Sequence, residues 1–349
     1  MEKKFKLDDT VVLAKTPRVV EARRPPGFVQ KYSLGKWTYH VPSEPVSQKE
    51  IKETFTADVI VVGAGTSGKA AALTAAEAGA KVIQIDRHVT FRYSGGHIAA
   101  IGSRVQKQAG VKWDVDDIIL QLMRWGANYP DQRWYRLWAE NSGTTLDWVM
   151  DMTDPEGITT NLYQWPRPAW YDPKKEYYPD FPVAHFQTSA TSKGLNHALS
   201  LDNLQKHALK KGVAIHYQTR AMQVVRGENG SVTGVIAMNK NSSYVLYNAR
   251  KAVVMCTGDY GNNPWMMQKY CPQGADIALE NNIYMTRNED LRVAPEPLDT
   301  GDGYQMVMRI GGVMGPGPHA PMAHATAGPL ATRLSCALTS TASAMKTRT

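Results

Sequence analysis

Apolar and polar positions along this chain change period several times, and each change marks an element. The first clear signal is "DVIVV" at 58–62, a β-branched run with the pattern of a strand buried on both faces. "GAGTSG" follows, then "KAAALTAAEAG", an alanine-rich stretch that predicts a helix stopped at Gly79. A second strand, "KVIQID", closes on Asp86, so strand, glycine turn, helix and strand fit within the 29 residues 58–86. Those are the proportions of a parallel crossover.

Helical spacing dominates 115–152, where "DVDDIILQLMRWG" carries acids in its first turn and Gly126 at its end. Residues 155–190, dense in Trp, Tyr and Pro, read as a long loop whose aromatics pack it or line a ligand site. "TSKGLNHALSLDNLQKHALKKG" predicts an amphipathic helix with Leu195, Leu199 and Leu201 on its apolar side and Gly212 at its end. "VAIHYQTRAMQVVRGENGSVTGVIAM" reads as a strand and then a hairpin around "ENGS". "KAVVMCTGDYGNN" is another buried strand aimed at a glycine turn, and "DTGDGYQMVMRIGG" is a turn followed by a helix. Before Asp58 the prolines of "TPRVVEARRPPGFVQ" break any helical period, so residues 1–55 are expected to be an extended arm. Within it Trp37, Tyr39 and Val41 alternate as a docked strand would.

Composition changes this picture little. A hydrophobic share of 43% and a charged share of 21% suit a globular chain, and no run approaches the ~18 apolar residues of a membrane span. "MEKKFKLDDT" has no apolar segment after it, so the cytoplasm is the expected compartment. The formal charge of +8 is scattered among acids, the mark of a solvated surface and not of a nucleic-acid face. Cys256, Cys271 and Cys336 have no close pairing, so neither a zinc site nor a disulfide framework is expected.

The chemistry lies in the first glycine turn. Gly63 allows the tight turn out of the strand, Gly65 lets the backbone approach a pyrophosphate, and Gly68 lets the helix pack close to the sheet. The N–H groups and dipole of the helix start favour phosphate. Asp86, 18 residues beyond Gly68, is placed to accept hydrogen bonds from a ribose. The motif indicates a dinucleotide. Two further glycine-rich segments, "SGGHIAAIGS" at 94–103 and "VVMCTGDYGNN" far downstream, suit a long buried ligand such as FAD better than NAD.

At this point the chain resembles the fumarate reductase and succinate dehydrogenase flavoprotein family, especially its soluble reductases of enoate-type substrates. The resemblance rests on "DVIVVGAGTSGKAAALTAAEAGAKVIQIDR", "SGGHIAAIGS", "WAENSGTTLDWV", "VVMCTGDYGNN" and "TGDGYQMVMRIGG", in the family's order over about 58–320. It implies an α/β fold: a Rossmann-like, glutathione-reductase-type FAD-binding domain with a parallel central sheet over 56–316. The truncated start of a capping domain would follow over 317–330. It also implies the FAD contacts. Gly63, Ala64, Gly65, Thr66, Ser67 and Gly68 would hold the pyrophosphate, and Asp86 and Arg87 would flank the adenosine ribose. Ser94, Gly95 and Gly96, with the turn at Gly102 and Ser103, would approach the pyrophosphate and isoalloxazine. Ala221 would offer its backbone to the adenine, Thr257 and Gly258 would sit under the adenosine half, and Asp302 would meet the flavin side. Asp86 is often Glu in the family, and Asp259 stands where Gly is common. His97 lies near the second glycine motif, one place out of register with a histidine that some relatives use to attach FAD covalently. His319 in "GPHAPMAH" falls where the family places a histidine that binds a substrate carboxylate, and His324 fits that place less well. The implied reaction is hydride transfer between flavin and the C=C/C–C bond of a small carboxylate-type substrate. In the family the proton comes from an arginine of a mobile cap, downstream of the histidine. No haem motif indicates the electron donor.

Residues 331–349 break the pattern: Ala, Ser and Thr prevail, with Arg333, Lys346 and Arg348 and no acid, glycine, proline or aromatic. The family continues through its cap and a last flavin-domain segment. One permitted back-translation of the tail, read after restoring a single base, contains a "GxRYxNE" segment of the family's kind, and Met345–Lys346 forces a glutamate codon there. The expectation is therefore an aberrant, disordered tail translated out of frame. Set against it is a natural short paralogue with a disordered Ser/Thr tail. The functional alternative to the oxidoreductase is a truncated flavoprotein remnant without catalytic activity.

Overall fold

A computed structural model describes residues 45–92, 97–126, 128, 130–162, 183–192, 197–261, 263–272, 299–315, 318–319, 323–324 and 335–336. Strand β1 (Ile51–Val62), helix α1 (Thr66–Glu77) and strand β2 (Val82–Ile85) form the crossover that the sequence predicts. β1 and β2 pair in parallel, from Val59 opposite Val82 to Val62 opposite Ile85. The chain then passes through β3 (Ile98–Ala99) and helices α2 (Arg104–Gln108), α3 (Val115–Trp125) and α4 (Gln132–Thr153). Strands β4 (Thr159–Leu162) and β5 (Ala184–Thr188) come next, followed by helix α5 (Ala198–Lys210). It returns to the main sheet with β6 (Ala214–His216), β7 (Arg220–Arg226), β8 (Val232–Met238) and β9 (Tyr244–Met255). Helices α6 (Pro264–Tyr270) and α7 (Asp302–Arg309) follow, and then two short strands, β10 (Ala323–His324) and β11 (Ser335–Cys336), which pair antiparallel.

The main sheet has the order β6-β2-β1-β9-β8-β7. Its first four strands are parallel, and the β7–β8 hairpin adds two antiparallel strands beside β9. This is an α/β fold with a parallel central sheet. The β-branched run of β1 explains itself, because alternate residues enter opposite layers. Val59, Val61 and Val82 pack with Ala72 and Leu73 of α1 and Leu201 and Leu204 of α5. Ile60, Val62, Ile83 and Ile85 pack with Val235, Ala237 and Tyr247 and with Met306 and Val307 of α7. Both faces of the sheet are thereby covered, as a parallel sheet requires.

β1 is longer than the sequence pattern predicts, since it starts at Ile51 and not near Asp58. Residues 51–55, expected in the arm, pair in parallel with 244–247 of β9. Lys52, Glu53 and Thr54 are exposed there, so this half carries no apolar run to mark it. The expected loop over 155–190 also contains β4 and β5, which form a three-stranded sheet with β3 in the order β3-β5-β4. Residues 163–182 of that stretch, with Trp37, Tyr39 and Val41 and most of 331–349, lie outside the described residues. Among the described residues no helix is long and apolar enough to cross a membrane.

Candidate functional site

The site is built at the carboxyl ends of the parallel strands, where ligands of open α/β sheets bind. Gly63 leaves β1 at φ +110° and donates its N–H to Ile85 O of β2 at 2.8 Å. A side chain there would run into Cys256, with a Cβ only 2.7 Å from its carbonyl carbon. Gly68 faces back onto the turn, its absent Cβ 2.8 Å from the carbonyl carbon of Gly63. Gly65 differs: the nearest atom to a Cβ there is Arg92 O at 3.5 Å, an ordinary contact. Gly65 is also the N-cap of α1, no side chain caps the helix, and Thr66 and Ser67 in its first turn are exposed. The helix start is therefore open to an anion.

Asp86 closes the other side of the turn. It is buried, and its Oδ2 accepts the Ala64 N–H at 2.7 Å while Oδ1 accepts the His88 N–H at 2.8 Å. Burial pushes this carboxyl up, opposed by the His88 and Ala64 hydrogen bonds and by the charges of Arg87 and Lys69. A carboxylate has about four acceptor sites, so two N–H donors leave capacity for ribose hydroxyls. Burial, with the charges of Arg87, Arg92 and Arg220, pulls His88 down to about 3. It is thus a neutral imidazole at ordinary pH, and its Nε2 accepts the Arg87 Nε–H at 3.3 Å.

Two more turns converge on the first. Cys256, at the end of β9, donates its N–H to Val62 O at 2.7 Å, which brings Thr257 and Gly258 beside Gly63. Gly258 stands at φ +80°, and the Asp259 carboxylate after it accepts the Tyr260 N–H at 2.6 Å. The third turn, Gly301 at φ +73°, opens α7, and Gly303 packs directly on the Thr257 side chain. Buried Asn263 ties this turn to α6: its Oδ1 accepts the Met266 N–H at 3.1 Å and its Nδ2 donates to Thr300 O at 3.0 Å. Asp302, the first residue of α7, is held by Arg220 Nη2 at 3.0 Å and lies 3.7 Å from Arg87 Nη1. Arg220 immediately precedes Ala221, a buried residue of the edge strand β7, at which the β7–β8 register shifts.

The structure thus gathers Gly63, Ala64, Gly65, Gly68, Asp86, Arg87, Thr257, Gly258 and Asp302 around one set of turns. Gly102 and Ser103 stand apart from those contacts. Ser103 is fully buried as the N-cap of α2, where its Oγ accepts the Gln106 N–H at 3.1 Å and lies 2.8 Å from His185 Nε2. Ser94, Gly95 and Gly96 lie outside the described residues. His97 is exposed, and the His324 side chain is outside the description.

His319 sits in an aromatic nest next to the second turn. Its Nδ1 is 2.5 Å from Tyr260 Oη, its ring stacks on Tyr270 with centroids 5.8 Å apart, and its Nε2 is 3.3 Å from Gly315 O. Burial pushes the Tyr260 hydroxyl up, with the Asp259 charge adding to it, so this phenol stays protonated. Gly315 O can only accept, so Nε2 carries a proton, and Nδ1 pairs with the Tyr260 hydroxyl. Tyr260, His185, Arg220 and Asn263 were not singled out from sequence. Their partners lie 37 to 87 residues away along the chain, and no local pattern reports such pairings.

Known proteins resemble this sequence and share this fold. The probable fumarate reductase Ifc3 of Shewanella frigidimarina is 29% identical over 74% of this chain and 39% of its own length. The vinyl phenol reductase of Lactiplantibacillus plantarum is 27% identical over 74% of this chain and 49% of its own. The chain therefore spans half or less of the curated relatives it matches. The open conformation of a flavocytochrome c3 fumarate reductase superposes with a TM-score of 0.56 at 26% identity, covering 83% of this chain and 47% of that one. The cofactor of this chain is FAD, and the glycine turns around the open start of α1 fit that group. The family model described as FAD binding domain matches residues 58–333, and the chain belongs to that family.

Proposed function

We propose that this protein is an FAD-dependent oxidoreductase of the fumarate-reductase type. It would move a hydride between flavin and the C=C/C–C bond of a small carboxylate substrate. The observation that carries the reading is the convergence of three glycine turns on the open start of α1, with His319 packed next to the second of them. Gly63, Ala64, Gly65, Thr66, Ser67 and Gly68 would hold the pyrophosphate, with Asp86 and Arg87 at the adenosine ribose. Ser94, Gly95, Gly96, Gly102 and Ser103 would line the approach to the isoalloxazine. Ala221, Thr257, Gly258 and Asp302 would complete the contacts.

When bound, FAD supplies the hydride chemistry, and the chain's own residues bind, orient and exclude water. Tyr260 holds Nδ1 of His319 and Nε2–H points at Gly315 O, a donor that would turn to a substrate carboxylate oxygen. A donor aimed at a carboxylate both orients the double bond and withdraws charge from it. The cytoplasmic location is part of the same proposal, and cell fractionation tests it.

The enoate reading is tested in a single half-reaction. The FAD-loaded chain is reduced anaerobically and mixed with fumarate. Reoxidation of the flavin by fumarate supports the reading. Retained flavin that neither fumarate nor acrylate reoxidises sinks it and favours the inactive remnant. His319→Ala should weaken the response to fumarate by about 10- to 100-fold, the worth of one charge-assisted hydrogen bond, with flavin content unchanged.

A further inference from the structure

The first turn of α1 carries a buried cation, whose charge reaches Asp86 only from a distance. Lys69 follows Gly68 directly and is 1% exposed. Its immediate partners are neutral: Nζ donates to Gln205 Oε1 of α5 at 2.5 Å and lies 4.5 Å from the centre of the Phe91 ring. Among the described residues no carboxylate oxygen comes within 4.0 Å of Nζ. Asp86 at the end of β2 and Asp202 on α5 act on it only from further away, and burial pulls the ammonium down to about 8.

An ammonium buried among neutral groups is costly unless another charge answers it. Gln205 needs no ammonium, because Tyr217 Oη donates to the same Oε1 at 2.6 Å. Packing would be served as well by an uncharged side chain of the same length. The charge shares a helix turn with the uncapped N–H groups beyond Gly65. It also sits under Phe91, whose neighbour Arg92 carries the carbonyl nearest Gly65. We infer that Lys69 is a buried counter-charge for the diphosphate of the cofactor. It acts through the weakly screened first turn of α1 without touching the ligand, since Gln205 and Phe91 already cover it. The inference rests on FAD being the cofactor and not on the enoate reaction.

The test compares the ligand-free full chain with Lys69→Met by calorimetric titration with ADP, which carries the diphosphate, and with adenosine, which does not. Thermal unfolding without ligand is the second readout. Lys69→Met should bind ADP about tenfold more weakly, bind adenosine unchanged, and melt at a higher temperature than the parent. Gln205→Glu gives an independent arm, because it places an anion against the ammonium. It too should raise the ligand-free melting temperature and lower the ADP-to-adenosine affinity ratio. Equal losses for ADP and adenosine, no loss for either, or a lower melting temperature for Lys69→Met would make Lys69 a structural brace and overturn the inference. An unchanged affinity ratio in Gln205→Glu would do the same if Lys69→Met does not fold.

Discussion

Gly68→Ala is expected to remove about 3 kcal/mol of stability, a large share of the roughly 5–15 kcal/mol that holds a native domain folded. The added Cβ would sit 2.8 Å from the carbonyl carbon of Gly63 and 3.2 Å from Gln84 Nε2. Neither neighbour can yield cheaply. The Gly63 carbonyl belongs to a turn fixed by its own N–H to Ile85 O, and it accepts Gln84 Nε2–H at 2.9 Å. Relief therefore means lifting α1 off the sheet, which opens the layer where Ala72 and Leu73 meet Val59 and Val61. A shift of the urea midpoint with unchanged slope measures the loss. A midpoint equal to that of the parent would show that α1 packs less closely than the geometry states.

Gly65→Val should do the opposite, keeping the fold and losing the cofactor. Its backbone is extended, with φ −74° and ψ −166°, a conformation valine adopts readily, and the nearest atom to the new Cβ is Arg92 O at 3.5 Å. The stability measured by urea unfolding should stay within about 0.5 kcal/mol of the parent's. The valine methyl groups would fill the space above the helix start that a pyrophosphate needs, so FAD affinity should fall by about 100-fold or more. Purified Gly65→Val with parental flavin content would put the phosphate elsewhere. Two substitutions three residues apart thus separate the structural glycine from the binding one.

Much of this was legible in the chain. The β-branched run before Gly63, the alanine-rich helix and the acid at 86 each leave a local mark, because strand, helix and turn have different periods. The first half of β1 leaves none: Lys52, Glu53 and Thr54 are exposed, and the strand is held there by pairing with residues nearly two hundred positions on. β4 and β5 are short and flank a stretch rich in Pro, Trp and Tyr, so composition reads as loop where cross-strand pairing makes a sheet. The glycine spacing marks the pyrophosphate turn. It cannot show that Arg220 reaches Asp302, that the Tyr260 hydroxyl meets His319, or that Lys69 is buried against Gln205. Those are tertiary meetings of residues that look ordinary in sequence. Ser103 shows the converse, since a motif position expected near the flavin has its hydroxyl engaged by Gln106 and His185.

FAD binding at the three converging glycine turns underlies every other proposal for this chain. Titration of the ligand-free chain with FAD, followed by quenching of flavin fluorescence, tests this directly when parent and Gly65→Val are run side by side. Saturable binding of one FAD per chain by the parent is expected, with its loss in a Gly65→Val protein that unfolds like the parent. Equal binding by the two proteins, or none by a folded parent, would contradict it.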